Sequence, residues 1–556
     1  MHPSPAPDDP TPGAHSAAPG PGLRGTPETC EVDYDVVVIG GAFTGSSLAT
    51  LLRRWNPDAR VLVVERSTKF LRRVGEATVE VSGCFLGRVL RLQDHLARAH
   101  LPKHGLRFWF TDRPDRKLTE MTEVGPGETP DLPSYQLDRS RLDEHLLATA
   151  AEEGVEVLRP AKVIDVETGW PSSRVRIAVG PKARAGRGEV REVRTRWVID
   201  ASGRQTFLGR RLGVIEKVDR HPTAALWARW KGVKDLDGIG VLGKDPTADR
   251  LATVVPSRRL ATNHFCGYGW WCWVIPLAGG ETSVGLVYDK RLFEPPGDGP
   301  LRQRYQDFVT RRAGLGELLE DAEIADDDFL ALRHLPYRTT RYMDRGWALV
   351  GDAAAFVDPF YSPGLDHASI SVFATARILA DDLAGRLDPD ALAERVRDHD
   401  RAFVDSYDRW LGALYEGKYE LLGDAELTRC AYLLDTALYY VGVVTPVYEQ
   451  IDALANPLFG VDNLPSRLAY RFMRFYARRL RHLARLRRLT GTYGRHNVGR
   501  SSFGPAFRVG RGAAGPFLGR GLKIWAGIEV EQAFAGLRAR LRGKRLDPSR
   551  PVVAAG

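Results

Sequence analysis

Residues 33–65 hold the densest chemistry-bearing pattern in the chain, DYDVVVIGGAFTGSSLATLLRRWNPDARVLVVE. Gly40, Ala42 and Gly45 fill the three small-residue slots of a G-x-G-x-x-G turn, and Glu65 follows twenty residues after Gly45. Glycines in such a turn let backbone approach a pyrophosphate, the helix behind it offers free N–H groups to that anion, and an acid at this distance bonds a ribose hydroxyl. Ala42 departs from the pattern, and its methyl group sets the phosphate slightly further out. Dinucleotide binding is the expected chemistry. The plain alternative is a structural turn in an unrelated α/β protein.

The elements that position this turn are legible around it. Apolar runs at 36–39 and 61–64 read as buried parallel strands and 46–54 as the helix between them. Residues 140–154 read as a second helix, with Ser140 as N-cap, Asp143 three residues on, Leu142 and Leu146 on one face, and Gly154 as the stop. Strands at 155–179 and 190–199 lead into Asp200-Ala201-Ser202-Gly203. From 222 to 289 the pattern is strand-like and rich in aromatics, which predicts a second sheet. Residues 346–367 return to strand, turn and helix, and beyond Ser369 the chain becomes helical and rich in arginine.

Composition narrows the classes. A 556-residue chain with 43% hydrophobic residues can bury a large core in more than one lobe. The cysteines Cys30, Cys84, Cys266, Cys272 and Cys430 are scattered without a C-x-x-C pair, so neither a disulfide framework nor a metal site is expected. Lys plus Arg number 79 against 70 for Asp plus Glu, and the excess lies after Arg467, with nothing else to suggest nucleic acid. No apolar run reads as long enough to cross a bilayer, and the Pro-, Gly- and Ala-rich start does not read as a signal peptide. A cytoplasmic protein is expected.

With these pieces in view, 33–380 resembles the flavin-dependent halogenases, within the superfamily of FAD monooxygenases; the C-terminal third is similar only in being helical. Four motifs carry the resemblance. Beside the fingerprint stand Gly351-Asp352 in WALVGDAAAFVDPFYSPG, similar to a strand-GD-helix element whose aspartate contacts the flavin ribityl chain, and Trp271-Cys272-Trp273-Val274-Ile275-Pro276, which fits W-x-W-x-I-P. The fourth is Lys103 in KHGLRF, which looks like the K-x-G-x-x-F segment holding the family's catalytic lysine. A lysine in a desolvated pocket has a lowered pKa and can donate a proton or act as a nucleophile; otherwise Lys103 is one more surface lysine.

The resemblance implies an α/β fold with a Rossmann-type FAD-binding lobe, a second β-sheet substrate lobe and a helical C-terminal region. It divides the chain into a disordered tail at 1–32, an FAD-binding monooxygenase/halogenase core at 33–385 with a substrate sheet at about 222–335, helices at 386–510, and a basic tail with a short helix at 511–556. The cofactor is FAD, reduced by a separate flavin reductase because 200–203 lacks the aspartate-glycine pair of hydroxylases that bind NADPH directly. Arg139 lies along the flavin, or else forms a surface salt bridge. Gly364 and Leu365 hold the halide through backbone N–H groups, one donor having been lost at Pro363. Trp271 and Trp273 alternate at strand period onto one face and, by resemblance, wall the flavin from the substrate; as plain aromatics they are core. Tyr361 stands where tryptophan-specific members carry a glutamate, which points to the phenol or pyrrole branch. Glu76 shapes the flavin pocket or caps a helix, and Asp366-His367 lies near the flavin ring or is structural.

The function so implied is that of an FAD-dependent, halogenase-like oxidoreductase of secondary metabolism and antibiotic biosynthesis. It would use reduced flavin, O2 and halide on an electron-rich substrate, free or bound to a carrier protein. The alternatives are a monooxygenase, dehydrogenase or isoprenoid-type reductase on the same scaffold without halide, and a silent FAD-binding assembly protein. The apolar stretch 437–447, with Tyr439, Tyr440 and Pro446, and the basic segment 467–488 after it are a solvated face, a lid over the substrate pocket whose basic outer face docks an acidic carrier protein, or a helix on an anionic membrane.

Overall fold

Two eight-stranded sheets frame the protein, shown here as a computed structural model describing residues 31–541 apart from 187, 239–255, 458, 461–462, 506–507 and 511. The tail expected over 1–32 therefore lies outside the described residues but for its last two. Tyr34–Ile39 sits centrally in the first sheet, parallel to Val61–Val64 on one side and to Glu189–Asp200 on the other. Glu156–Leu158 and Trp347–Leu349 extend the parallel set outwards. The strands Val36 to Val38 and Val61 to Val64 are fully covered, as a sheet with helices on both faces requires. Helix Phe43–Trp55 crosses between the first two strands.

Helix Arg139–Glu152 packs on it, but its N-cap is Asp138 and not Ser140. The Asp138 carboxylate accepts the Ser140 N–H at 2.9 Å and its hydroxyl at 2.6 Å, so the stronger acceptor takes the cap two residues earlier. Gly154 ends the segment at φ +87° as expected.

The second sheet runs Glu323–Leu332, Thr223–Lys231, Thr282–Asp289, Trp270–Pro276, Thr262–Gly267, Leu106–Phe110, Thr122–Pro126, Ser501–Gly504. It is thus wider than the expected 222–335 span. Three of its strands come from before and after that span, and Leu106–Phe110 brings the segment next to Lys103 into it. The C-terminal region folds over this assembly as helices Pro389–Trp410, Ala425–Tyr439 and Leu464–Thr490. The short tail helix expected after 511 is a 27-residue helix, Gly515–Leu541, packed on Ala425–Tyr439. One continuous helical segment, Ala425–Glu449, is long and apolar enough to cross a membrane, contrary to the sequence expectation. Two-thirds of its apolar window is buried inside the protein, where it serves as a core helix.

Candidate active site

Packing makes the first glycine turn. Gly40 has φ +101°, and a methyl group on it would fall 2.7 Å from the Ala201 carbonyl oxygen. A methyl on Gly45 would meet the Gly40 oxygen at 1.9 Å, so helix and strand approach as only glycine allows. Ala42 precedes the helix in extended backbone and makes no side-chain cap, and the first helical turn carries no acid. The N–H groups of Thr44 and Gly45 are left for an anion. Asp143, fully buried, fixes the turn by accepting the Phe43 N–H at 3.1 Å and the Arg139 guanidinium at 3.1–3.3 Å. Arg139 is therefore in a buried ion pair, with its guanidinium 5.6 Å from the Phe43 ring. Glu65 receives the Gly41 N–H at 2.8 Å on one oxygen and Ser67 on the other. A ribose hydroxyl would share the Gly41-bound oxygen, which has a second lone pair, since the other oxygen already accepts both the Ser67 N–H and the Ser67 hydroxyl.

Gly351 and Asp352 form a short turn after strand Trp347–Leu349, with Gly351 at φ +56° and only 3.0 Å of room to the Thr44 hydroxyl for an added methyl. The GD turn thus touches the start of the first helix. It does not open the long helix, which begins twelve residues later at Gly364. The Asp352 carboxylate makes no hydrogen bond among the described residues. Burial raises its pKa, with Arg204 and Arg139 pulling the other way. An acceptor held at this depth fits a ribityl hydroxyl.

Tyr361 and Ser362 both have left-handed backbone, at φ +72° and +60°, a strained arrangement for side-chain-bearing residues. It turns the chain into helix Gly364–Leu383, whose N-cap is Pro363. The N–H groups of Gly364, Leu365 and Asp366 have no acceptor among the described residues, and a methyl on Gly364 would meet nothing within 4 Å. That open space beside free amides is where a ring and a small anion fit. Gly364 and Asp352 both border a small cavity there.

Lys103 is 3% exposed, not a surface lysine. Its backbone N–H bonds Ser134 and its ammonium donates to the Thr78 carbonyl at 2.7 Å. Burial pulls its pKa down to about 8, against the opposing pull of Glu80 and Asp366. These three line one pocket with about 1150 Å³ of empty space, its open mouth included. Burial raises the Glu80 carboxyl, which accepts from Tyr440 at 3.0 Å. Asp366 is pushed up by burial to about 6, while hydrogen bonds from Tyr439 (2.7 Å) and Ser82 (2.8 Å) work the other way. The far wall is apolar and includes Leu438, Val443 and Met473. The pocket and the Gly364 cavity share Pro363, His367 and Trp410. His367 has an unpartnered, buried Nε2, and burial lowers it to about 4.

Tyr361 lines the pocket and donates to Asp435 at 3.2 Å. Trp271 and Trp273 do share one face, with Trp270 and Cys272 in the opposite core, but they line neither cavity. Trp271 stands behind Phe360, ring centroids 5.2 Å apart, and donates to Tyr419, which donates to Asp358. Trp271 supports the 358–363 loop from behind, while Trp273 packs on Trp271 and Trp227 and donates to Ser283. Glu76 lines neither of these two cavities; it binds Arg229, which also reaches Asp138 and Glu281. Asp200 caps locally, accepting the N–H groups of Ser202 and Leu208. Sequence reasoning missed Glu80; Tyr439 and Tyr440, noted in the apolar stretch 437–447, line the pocket through helix faces that only the fold brings together.

Comparison with known proteins agrees with this geometry. The family described as FAD binding domain matches residues 33–259, and that described as Tryptophan halogenase matches 245–408. A flavin-dependent halogenase of Dictyostelium discoideum is 29% identical over 364 residues, covering 60% of this chain and 57% of that one. Over these residues the chain is similar to the flavin-dependent halogenases. Another relative, the 1H-pyrrole-2-carbonyl-[peptidyl-carrier protein] chlorinase of Pseudomonas fluorescens, is 27% identical over 63% of this chain and 76% of its own. The solved structure of halogenase PltM in complex with phloroglucinol and FAD shares the fold, with TM-score 0.66, 18% identity, and coverage of 84% of this chain and 94% of that one. This chain spans just over half the length of the Dictyostelium halogenase. FAD is the cofactor of the family's nucleotide-binding lobe, and the glycine turn, Asp352 and the open side of Gly364 fit it.

Proposed function

We propose that this protein halogenates an electron-rich, phenol- or pyrrole-like ring held in the Lys103 pocket, within a pathway of secondary metabolism. The observation that carries the reading is the junction of two cavities at Pro363, His367 and Trp410, one bordered by Asp352 and Gly364, the other by Lys103. Bound reduced FAD supplies the oxidation of halide by O2 to hypohalous acid. The chain's own residues do the rest. The free N–H groups at the start of helix Gly364–Leu383 hold the halide, assisted by the positive helix end. The buried junction keeps water away and leads the oxidant towards Lys103.

There the ammonium donates to the hypohalous oxygen, so that the halogen leaves as an electrophile, hydroxide takes the proton, and water departs. Glu80 or Asp366, each with a raised pKa, takes the proton the ring carbon releases. The pocket's volume and apolar far wall suit a substrate larger than a single bare ring, or one presented on a carrier arm, as the name of the Pseudomonas relative describes for that enzyme. The reductant reaches FAD from a separate reductase.

Pro363, which lacks an N–H, favours a second reading, a monooxygenase on the same scaffold. One experiment separates them. Reduced FAD, O2 and chloride or bromide are supplied with a panel of phenols and pyrrolyl substrates, and products are read by mass spectrometry. Halogenated product is expected. Hydroxylated product formed at the same rate without halide would sink the proposal.

A further inference from the structure

Helix Gly515–Leu541 is apolar on two opposite sides. Its inner side, Phe517, Gly521, Ile528 and Gln532, is buried, with Gly521 packed so closely on Leu434 that an added methyl would lie 2.8 Å away. Its outer side repeats at helical spacing as Leu522, Ala526, Val530, Ala533, Leu537 and Leu541, all exposed, with Phe534 beside them at 61%. A helix that is apolar all round is normally covered all round. A stripe about 29 Å long is too long for a chance patch.

The neighbouring helix Leu464–Thr490 continues this surface. Phe475 packs on Trp525 at 5.8 Å, and Arg479 pairs with Glu529. The outer face of Leu464–Thr490 is exposed at Leu464, Leu468, Arg471, Arg474, Phe475 and Arg478. This helix has nine arginines and no acid. Arg479, Arg481, Arg485 and Arg487 turn to carboxylates of the protein. Arg471 and Arg478 have no acceptor among the described residues. On Gly515–Leu541 both carboxylates, Glu529 and Glu531, are engaged by arginines, which leaves Arg520, Lys523 and Arg538 around the apolar stripe.

We propose that these two helices lie on an anionic lipid bilayer, with the apolar stripe in the headgroup boundary and the arginines on the phosphates. The charge selects this occupant. A second copy would bring one arginine-rich face against another in a chain of net charge +9, whereas an anionic membrane complements it. The same helix lines the substrate pocket from inside through Met473, so the docked face and the pocket are two sides of one element. An apolar acceptor dissolved in the bilayer would meet the enzyme there. Membrane docking does not depend on halogenation, and its test needs no turnover.

The full-length FAD-loaded protein is floated with vesicles of phosphatidylcholine alone or mixed with phosphatidylglycerol, and its mass in solution is read by light scattering. The expected result is flotation with the phosphatidylglycerol vesicles, weakened by added salt because the phosphate contacts are screened. Phe534→Glu with Leu537→Glu should lower the bound fraction at least about tenfold with FAD content and melting temperature unchanged. Arg471→Glu with Arg478→Glu should remove the preference for anionic lipid. Absence of flotation, or flotation indifferent to both pairs of changes, would overturn the proposal. So would a concentration-dependent dimer that the Phe534/Leu537 pair abolishes, since a second copy would then cover the stripe.

Discussion

The two helix N-termini that face the flavin site are built in opposite ways. At Phe43–Trp55 the turn is tightly packed around its free N–H groups: Gly40 and Gly45 touch backbone, Asp143 holds the first N–H, and Arg139 locks Asp143. At Gly364–Leu383 the approach is open, the preceding backbone is strained at Tyr361 and Ser362, and ionisable groups crowd the far side. The first is a rigid cradle that binds by fit. The second is an open space bordered by a loop that Trp271, Tyr419 and Asp358 support from behind, the space in which the proposed reaction would run.

The largest effect should come from closing the cradle completely. Gly45→Ala places a methyl 1.9 Å from the Gly40 oxygen, which neither strand nor helix can absorb without separating. The purified variant should carry no flavin absorbance, and a variant that keeps full FAD would refute the tight-turn reading. Next is Lys103→Ala, on the open side. It should leave FAD content intact and cut halogenated product by roughly 10²- to 10⁴-fold, the range for removing a proton-donating group, while reduced flavin is still oxidised.

Lys103 also sets a pH dependence of opposite sign in activity and stability. Its pKa is drawn from 10.5 to about 8 by burial, so the unfolded chain binds more protons between those values. Stability owed to this group rises with pH across that window. Activity that needs the ammonium falls in the same window, by about tenfold from pH 7 to pH 9 for a group titrating near 8. A product rate that stays flat to pH 9 would show that the ammonium is not the donor.

These regions also differ in how far the sequence discloses them. The cradle was readable at 33–65 because Gly45 is demanded by the Gly40 carbonyl of its own turn, and period-2 alternation placed Trp271 and Trp273 on one face. The second sheet was read too narrowly, since Leu106–Phe110 and Ser501–Gly504 join it only through long-range pairing. Within VGEATVEV the two glutamates look alike in sequence. Only the fold turns Glu76 to Arg229 and Glu80 into the pocket. Tyr439 and Tyr440 stand out in sequence only as part of an apolar stretch of a candidate lid, and their bonds to Asp366 and Glu80 come from the fold.

Gly364→Ala sharpens the contrast with Gly45. Its methyl meets no atom of the protein within 4 Å, so the melting temperature of the FAD-free protein should not move. Any loss then reports the ligand: FAD affinity or halide use should weaken about tenfold, equivalent to about 1.4 kcal/mol. Equal affinity in variant and parent would mean that the open side of Gly364 faces solvent rather than cofactor.

The smallest effect is expected from Pro363→Ala, although the residue is the one that departs most visibly from the halide-binding pattern. Pro363 is the N-cap, with φ −79° and ψ −12°, and the donors a halide would use belong to the following residues, Gly364, Leu365 and Asp366. Proline is tolerated where an N–H makes no intrahelical bond, so alanine restores a donor outside the set that converges on the open space. Halide dependence of product formation should shift by less than about twofold, well inside the effect of a lost hydrogen bond. A many-fold tightening would instead move the halide one residue earlier in the loop, onto the backbone of 363. The native chain would then hold its halide with fewer donors than the site can offer, and the oxidation step would be the place where its rate is limited.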